Sequence, residues 1–297
     1  MKEIMKYKHA KDFFKKLKKT WDTDPKELIR DALEAGFEGD YEESLEYLEN
    51  GIELFGGKWQ ETEFKPQFWS LKATALLKLE KYDEALDAIN KAIEFDKKDP
   101  FLWSKKEEIL HDLEKYDESL DALNNVIKFA PELKEDSFPI KAHTLGHLEK
   151  YEEALELYTK YLKKDPSDLE SWSGKSEALQ DLGKMNESMQ ACEKGLKIDS
   201  TDFDLLSQKA SLLFDMKRYE EALSIYENTT LMESSDDYEW YNKACVLSLQ
   251  NKKEEALDAL TVAIGLDSDN IKQMKEDKDL ENIKNTERFI RLTNQEI

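Results

Sequence analysis

The chain has 297 residues, with 44 Lys and Arg against 66 Asp and Glu, and a formal charge of −22, an acidity that excludes general binding to nucleic acid or anionic membranes by phosphate repulsion. Hydrophobic residues reach only 39% and charged ones 37%, lean for one globular core, yet 6 Trp, 12 Tyr and 13 Phe are too many for a disordered chain. With 6 Pro and 10 Gly the punctuation of all-β and loop-rich folds is scarce, so the composition points to charged helices.

The first segment, residues 1–24, differs from the rest. Residues 1–20 hold eight lysines against Glu3 and Asp12, a local charge of +6 beside −28 for the remaining chain. Ile4, Tyr7, Phe14, Leu17 and Trp21 recur at helical spacing. The segment reads as a basic amphipathic helix, expected to cap the acidic body in preference to a membrane or nucleic acid. It has no apolar core like a secretory signal, and no stretch of the chain approaches a membrane span. Two cysteines, Cys192 and Cys245, make neither a disulfide framework nor a four-ligand zinc site, and a reducing, cytoplasmic setting is expected.

From Pro25 onward the sequence repeats. Trp69 and Trp103 lie 34 residues apart, and Trp172 and Trp240 continue the ladder, with Phe138 and Leu206 at the midpoints. Tyr41, Tyr82, Tyr116, Tyr151 and Tyr219 run in step, joined in phase by Met185 and Lys253. Each is followed by acidic or amide residues and a small one, as in Tyr82-Asp-Glu-Ala85. Small residues recur at two places per unit: Ala73, Ala142, Ser176, Ala210 and Ala244 at the first, and Ser44, Ala85, Ser119, Ala154, Ser188, Ala222 and Ala256 at the second. Apolar residues at three- and four-residue steps, such as Trp69, Ala73, Leu76 and then Ala85, Ile89, Ile93, predict two amphipathic helices per unit. The small residues let their backbones approach, and because one hairpin cannot bury its own apolar faces, neighbours must stack.

Trp69-Ser-Leu-Lys-Ala73-Thr-Ala-Leu76 and Ala85-Leu-Asp-Ala-Ile89 resemble the tetratricopeptide repeat signature, W-x2-L-G-x2-Y followed by A-x3-F and P. The resemblance covers about four-fifths of the chain as seven repeats, approximately 25–58, 66–99, 100–134, 135–168, 169–202, 203–236 and 237–270. The first is degenerate, with Leu28 at its tryptophan position, and Gly56-Gly57-Lys58-Trp59 opens a longer connection to the second. The sixth ends on Thr229-Thr230, where an apolar pair is usual. Residues 271–297 suit a C-terminal capping helix with Leu280, Ile283, Phe289 and Leu292 inward. The resemblance implies an all-α fold, an α-solenoid of stacked helix–turn–helix repeats wound as a right-handed superhelix, with the first helices lining a concave groove.

Six lysines, Lys72, Lys106, Lys141, Lys175, Lys209 and Lys243, each follow the tryptophan position by three. At about 100° per residue they point away from the groove positions, so they are expected between helices, stems packed and heads seeking nearby carboxylates. In the groove, repeats one and two contribute Lys26, Arg30, Gln67, Ser70, Thr74 and Lys78. Repeats three to six contribute Lys105, Glu108, Asp112, Asp136, Glu170, Glu177, Asp181, Asp204 and Asp215, eight carboxylates against one lysine. Phe101, Gln180, Phe214, Tyr238 and Tyr241 interleave them. Rings flanked by carboxylates suit a cationic peptide through ion pairing and cation–π contact, although an acidic protein carries acid on every face.

Chaperone-type members of the family grip a C-terminal carboxylate with Lys or Asn, Asn, and Lys or Arg spread over three first helices. The corresponding positions hold Ser70 and Thr74, Lys105, then Asp136 and Ile140, or one repeat later Ser104 and Glu108, Ile140, then Glu170 and Gly174. Neither window supplies that set, so acidic chaperone tails are not expected partners.

His111, His143 and His147 also fall on groove positions, the last two four apart on one helix face with Glu108, Asp112 and Glu177 on neighbouring helices. Such a set can ligate a divalent metal, but spacing alone favours histidines in an acidic groove, and no metal is assigned. Cys192 reads as core and Cys245 as a groove position. No HExxH, phosphate loop or nucleophile–base pattern appears, so no enzyme activity and no cofactor are expected. The sequence reads as a scaffold whose groove holds a segment of another protein, cationic by charge complementarity, with self-association open. The alternative is a structural subunit that braces a complex through its convex faces and ends.

Overall fold

Aspartates set the start of five of the seven hairpins. Asp24, Asp99, Asp168, Asp202 and Asp236 each stand in extended backbone before a helix and accept a backbone N–H from its first turn at 2.9–3.0 Å. In the computed structural model, which describes residues 24–55, 64–268 and 271–294, the described residues form helices and no strand. The helices come in consecutive pairs and divide between two compact units.

The first unit, to Ser137, holds three hairpins: α1 (Pro25–Phe37) with α2 (Tyr41–Phe55), α3 (Lys65–Lys78) with α4 (Tyr82–Phe95), and α5 (Pro100–Asp112) with α6 (Tyr116–Phe129). The second unit begins at Phe138. It holds α7 (Phe138–His147) with α8 (Tyr151–Lys164), α9 (Leu169–Asp181) with α10 (Met185–Leu196), α11 (Phe203–Asp215) with α12 (Tyr219–Met232), and α13 (Asp237–Leu249) with α14 (Lys253–Leu266). Within each unit, helices pack on their hairpin partner and on the next hairpin, the α-solenoid pattern of stacked repeats.

Every hairpin turns in the same way. The residue two before the second helix has positive φ: Gly39, Glu80, Glu114, Glu149, Gly183, Lys217 and Asn251. The next N–H reaches back five residues, as Lys81 to Leu76 at 2.9 Å and Lys150 to Leu145 at 2.9 Å, which closes a Schellman turn over the first helix's last carbonyls. The acidic residues that follow, such as Asp83 and Glu84, lie in the second helix's first turn, where its dipole favours negative charge.

Burial follows the repeat. In the first unit Leu76, Ala85, Ile89, Leu102 and Ile109 form one core and Leu28, Leu48 and Phe68 another. In the second, Leu213, Tyr226, Val246, Leu257 and Leu260 lie under Met274, Leu280, Ile283 and Phe289 of the C-terminal segment. That segment is not the single capping helix expected from its pattern. Asp277 caps a 3₁₀ turn (Lys278–Leu280) and Thr286 caps another helix start, so it breaks into α15 (Ile271–Glu276), α16 (Glu281–Lys284) and α17 (Glu287–Thr293). The fourth hairpin, expected near Glu135, starts its first helix at Phe138, because Pro131–Leu133 makes a 3₁₀ turn and residues 134–137 continue as turn. The basic segment 1–20 and the Gly56–Trp59 connection lie outside the described residues.

Candidate functional site

The tryptophan ladder organises the hairpins through hydrogen bonds that spacing does not reveal. The indole N–H of Trp103, Trp172 and Trp240 each donates to the carbonyl six residues earlier, Lys97, Pro166 and Ser234, at 2.9–3.0 Å. Each indole thereby pins the loop leading into its own hairpin. Four of the six lysines expected to seek carboxylates instead lie over tryptophan rings. The Nζ atoms of Lys72, Lys106, Lys175 and Lys243 stand 5.8, 5.5, 5.6 and 4.8 Å from the centroids of Trp69, Trp103, Trp172 and Trp240. Desolvation is the main reason the ammoniums of Lys106, Lys175 and Lys243 are held below their ordinary pKa. An indole face attracts a cation at this distance, so the half-buried heads find a partner without a carboxylate. Lys72 alone of these four has both, with Glu49 at 2.7 Å. The ladder is internal architecture.

On the first unit's α5, Lys105 pairs with Glu108 at 2.6 Å, so these two predicted groove residues neutralise one another. Asp112 is exposed at the helix end, and His111 is half-buried with its ring edge against Tyr116 at 5.4 Å. Asp136 is exposed but lies in the turn residues, not on a first helix.

The second unit holds the larger acidic face. Glu170, Glu177 and Asp181 on α9 and Asp204 on α11 are exposed, and none has a hydrogen bond or ion pair within the described residues. Other positions on the same helices are engaged internally. Gln180 donates to Asp215 at 2.6 Å and accepts from Gln208 at 2.5 Å, and Ser207 donates to the buried Glu239 at 2.5 Å, which ties α9 to α11 and α11 to α13. Phe214 is half-buried, its ring edge-on to Tyr219 at 5.8 Å, whereas Tyr238 is 58% exposed. Tyr241 is not an open groove aromatic. Its hydroxyl donates to Asp277 of the C-terminal segment, which also covers Cys245, expected to face the groove but buried here. Cys192 is core, as expected, 2.9 Å from the Ser176 hydroxyl.

Between α7, α8 and α9 a cleft of about 290 Å³ opens. His143 and His147, their rings edge-to-face at 4.7 Å, line it with Glu149, Tyr151, Tyr158, Glu177 and Asp181. Desolvation raises the Asp181 carboxyl. Glu177 is exposed as a residue, yet its carboxyl is crowded enough that desolvation first, and then the Asp181 charge, raise it against the opposing influence of His147. Tyr158 is not marked out by the sequence pattern, and Gly174 enters it only as a position that fails the chaperone-type set. Their signal is a complementary pair: Tyr158 stands where other hairpins hold Ile89 and Leu123, and Gly174 where they hold Lys105, Ile140 and Gln208.

No helix of the described residues is long and apolar enough to cross a membrane. Tetratricopeptide repeat family models match residues 30–100, 141–203 and 240–270, together more than half of the chain, and the model of anaphase-promoting complex subunit 5 matches 106–150. No curated protein matches the sequence. Among solved structures, a tetratricopeptide repeat protein from Parabacteroides merdae is similar over 87% of this chain and 98% of that one, with TM-score 0.73 and 18% identity. The assembly chaperone of RpL4, Acl4, is similar over 80% of this chain and 100% of that one, with TM-score 0.58 and 17% identity. The Cut9–Hcn1 hetero-tetramer of the APC/C is similar over 82% of this chain, with TM-score 0.63 and 13% identity, and this chain spans 48% of that one. At these identities the likeness is one of fold.

Proposed function

This chain belongs to the tetratricopeptide repeat family, whose members bind other proteins, and from that premise we propose that it is a non-catalytic scaffold holding a basic segment of a partner on the first-helix face of its second unit. The observation that carries the reading is the set of Glu170, Glu177, Asp181 and Asp204, exposed carboxylates on adjacent first helices with no Lys or Arg paired to them among the described residues. Tyr238, exposed on α13, extends the acidic stretch with an aromatic. On-rate and selectivity come from the acidic field, and the apolar part of the contact from the partner's own anchors.

The test is capture from native lysate with partner identification, using wild type and a Glu170→Lys, Asp204→Lys variant matched in helical melting. The expected partner carries a basic segment, is lost on charge reversal and elutes steeply with salt. Capture that ignores both charge reversal and salt removes the proposal. It would favour a second reading as an assembly subunit bound through outer faces or ends, which rests on the short match of residues 106–150 to a complex-subunit model.

A further inference from the structure

The cleft between α7, α8 and α9 has features that an exposed acidic face lacks. Tyr158 is only 4% exposed, lines the cleft, and its hydroxyl has no hydrogen-bond partner among the described residues. The ring is buried while the hydroxyl opens onto the cleft, so a group seated there is the partner within its reach. The space is made by missing side chains. Ala142, Gly146, Ala154, Gly174 and Ala178 line it, and a Cβ at position 174 would stand 2.3 Å from the Tyr158 hydroxyl oxygen. Two carboxylates, Glu177 and Asp181, lie one turn apart on α9, and no Lys or Arg is among the lining residues. The volume, about 290 Å³, is near the lower end of the ~300–1,000 Å³ of ligand pockets, suited to one long side chain or a small cation.

We propose that this cleft is the seat of a single arginine side chain of the partner, its guanidinium held by Glu177 and Asp181 and donating to the Tyr158 hydroxyl. A guanidinium offers five N–H donors in a planar fork, enough to serve two carboxylates and a hydroxyl at once. An ammonium is a compact point charge with three donors, and binds the same acceptors less completely. The raised carboxyls of Glu177 and Asp181 agree with this, since a cation between them restores what desolvation removes. The assignment rests on the protein-binding reading above for the origin of the arginine, but the cleft can be tested without the partner.

The test is a titration of the full-length protein with Nα-acetyl-arginine methylamide, followed by amide NMR at Gly146, Gly174 and Ala178, with the lysine and citrulline analogues as controls. Saturable shifts at these amides are expected with arginine, at least about fivefold weaker binding with lysine, and none with citrulline, which keeps the shape and loses the charge. Tyr158→Phe, which keeps the ring, weakens arginine binding by about fivefold, the equivalent of ~1 kcal/mol for one hydrogen bond. Glu177→Gln with Asp181→Asn abolishes it at unchanged helical melting. Equal shifts with citrulline or lysine, no saturable shift, or full binding to Tyr158→Phe each overturn the assignment. If arginine fills the cleft while captured partners ignore Glu170→Lys and Asp204→Lys, the cleft stands and the wider acidic-face reading falls. If partners obey charge reversal but Tyr158→Phe changes nothing, the reverse holds.

Discussion

The hairpins cross at two positions twelve residues apart, and the crossings are of two kinds. Hairpins two, four, six and seven place alanine at both: Ala73 and Ala85, Ala142 and Ala154, Ala210 and Ala222, Ala244 and Ala256, all fully buried. Hairpin five places Ser176 and Ser188, which exchange hydrogen bonds at 2.7–3.1 Å beside Cys192. Hairpin three departs most, with Glu107 at 6% exposure accepting from Ser119 at 3.1 Å. The repeat therefore prescribes size at a crossing only until a polar replacement brings its own partner. These serines pair completely, because each hydroxyl can donate to the backbone carbonyl of the other. A carboxylate with one hydroxyl donor does not, and desolvation lifts the Glu107 carboxyl to about 7.

That difference can be broken from the alanine side first. Ala210→Glu puts a carboxylate against Ala222, which offers no side-chain donor, and is expected to cost about 3–5 kcal/mol by urea titration of the full chain. A cost below ~1 kcal/mol would mean that the crossing opens to water. Next is the pH response of Glu107. Its folded pKa lies above the unfolded value near 4.5, so the folded state holds the proton more tightly. Its stabilisation is complete below about pH 4.5 and is lost as pH rises through about 7, roughly 3 kcal/mol in all. Glu107→Gln should accordingly exceed the wild type in stability at pH 8 and match it near pH 5, and parallel curves would refute the buried carboxyl. Third, Ser188→Ala strands the Ser176 pairing and should cost about 1–2 kcal/mol in the same titration. The smallest effect lies at the turns. Glu149→Gly, where φ is 57°, relieves a left-handed side-chain conformation and should gain ~1 kcal/mol, read as a rise in thermal midpoint.

The fold was legible because one 34-residue unit recurs, and each tryptophan, tyrosine and alanine position was reinforced by its copies. The same regularity hid the exceptions. Glu107 occupies a place at which the copies read small, and periodicity weighs the majority. Glu170, Glu177, Asp181 and Asp204 were readable as a face because helical angle alone places them. Which acids keep their charge to themselves was not, since Lys105 with Glu108 and Gln180 with Asp215 depend on rotamers and neighbouring helices. Tyr158 with Gly174 is harder still. It joins a second helix to the next hairpin's first helix, and neither residue is unusual until the other is seen. The lysine ladder was placed between helices for the right geometric reason, but the partner of Lys72, Lys106, Lys175 and Lys243 is the indole three residues back, a contact that charge counting misses.

The bond from each indole to the loop six residues before it gives the protein a set of optical reporters. Trp103, Trp172 and Trp240 each couple an emission spectrum to one loop between consecutive hairpins. Loosening of a loop frees that N–H to water and shifts that tryptophan's fluorescence to the red. Chains in which one of the three is the sole tryptophan, with Trp21, Trp59 and Trp69 also replaced, would resolve by wavelength alone the order in which hairpins three, five and seven let go.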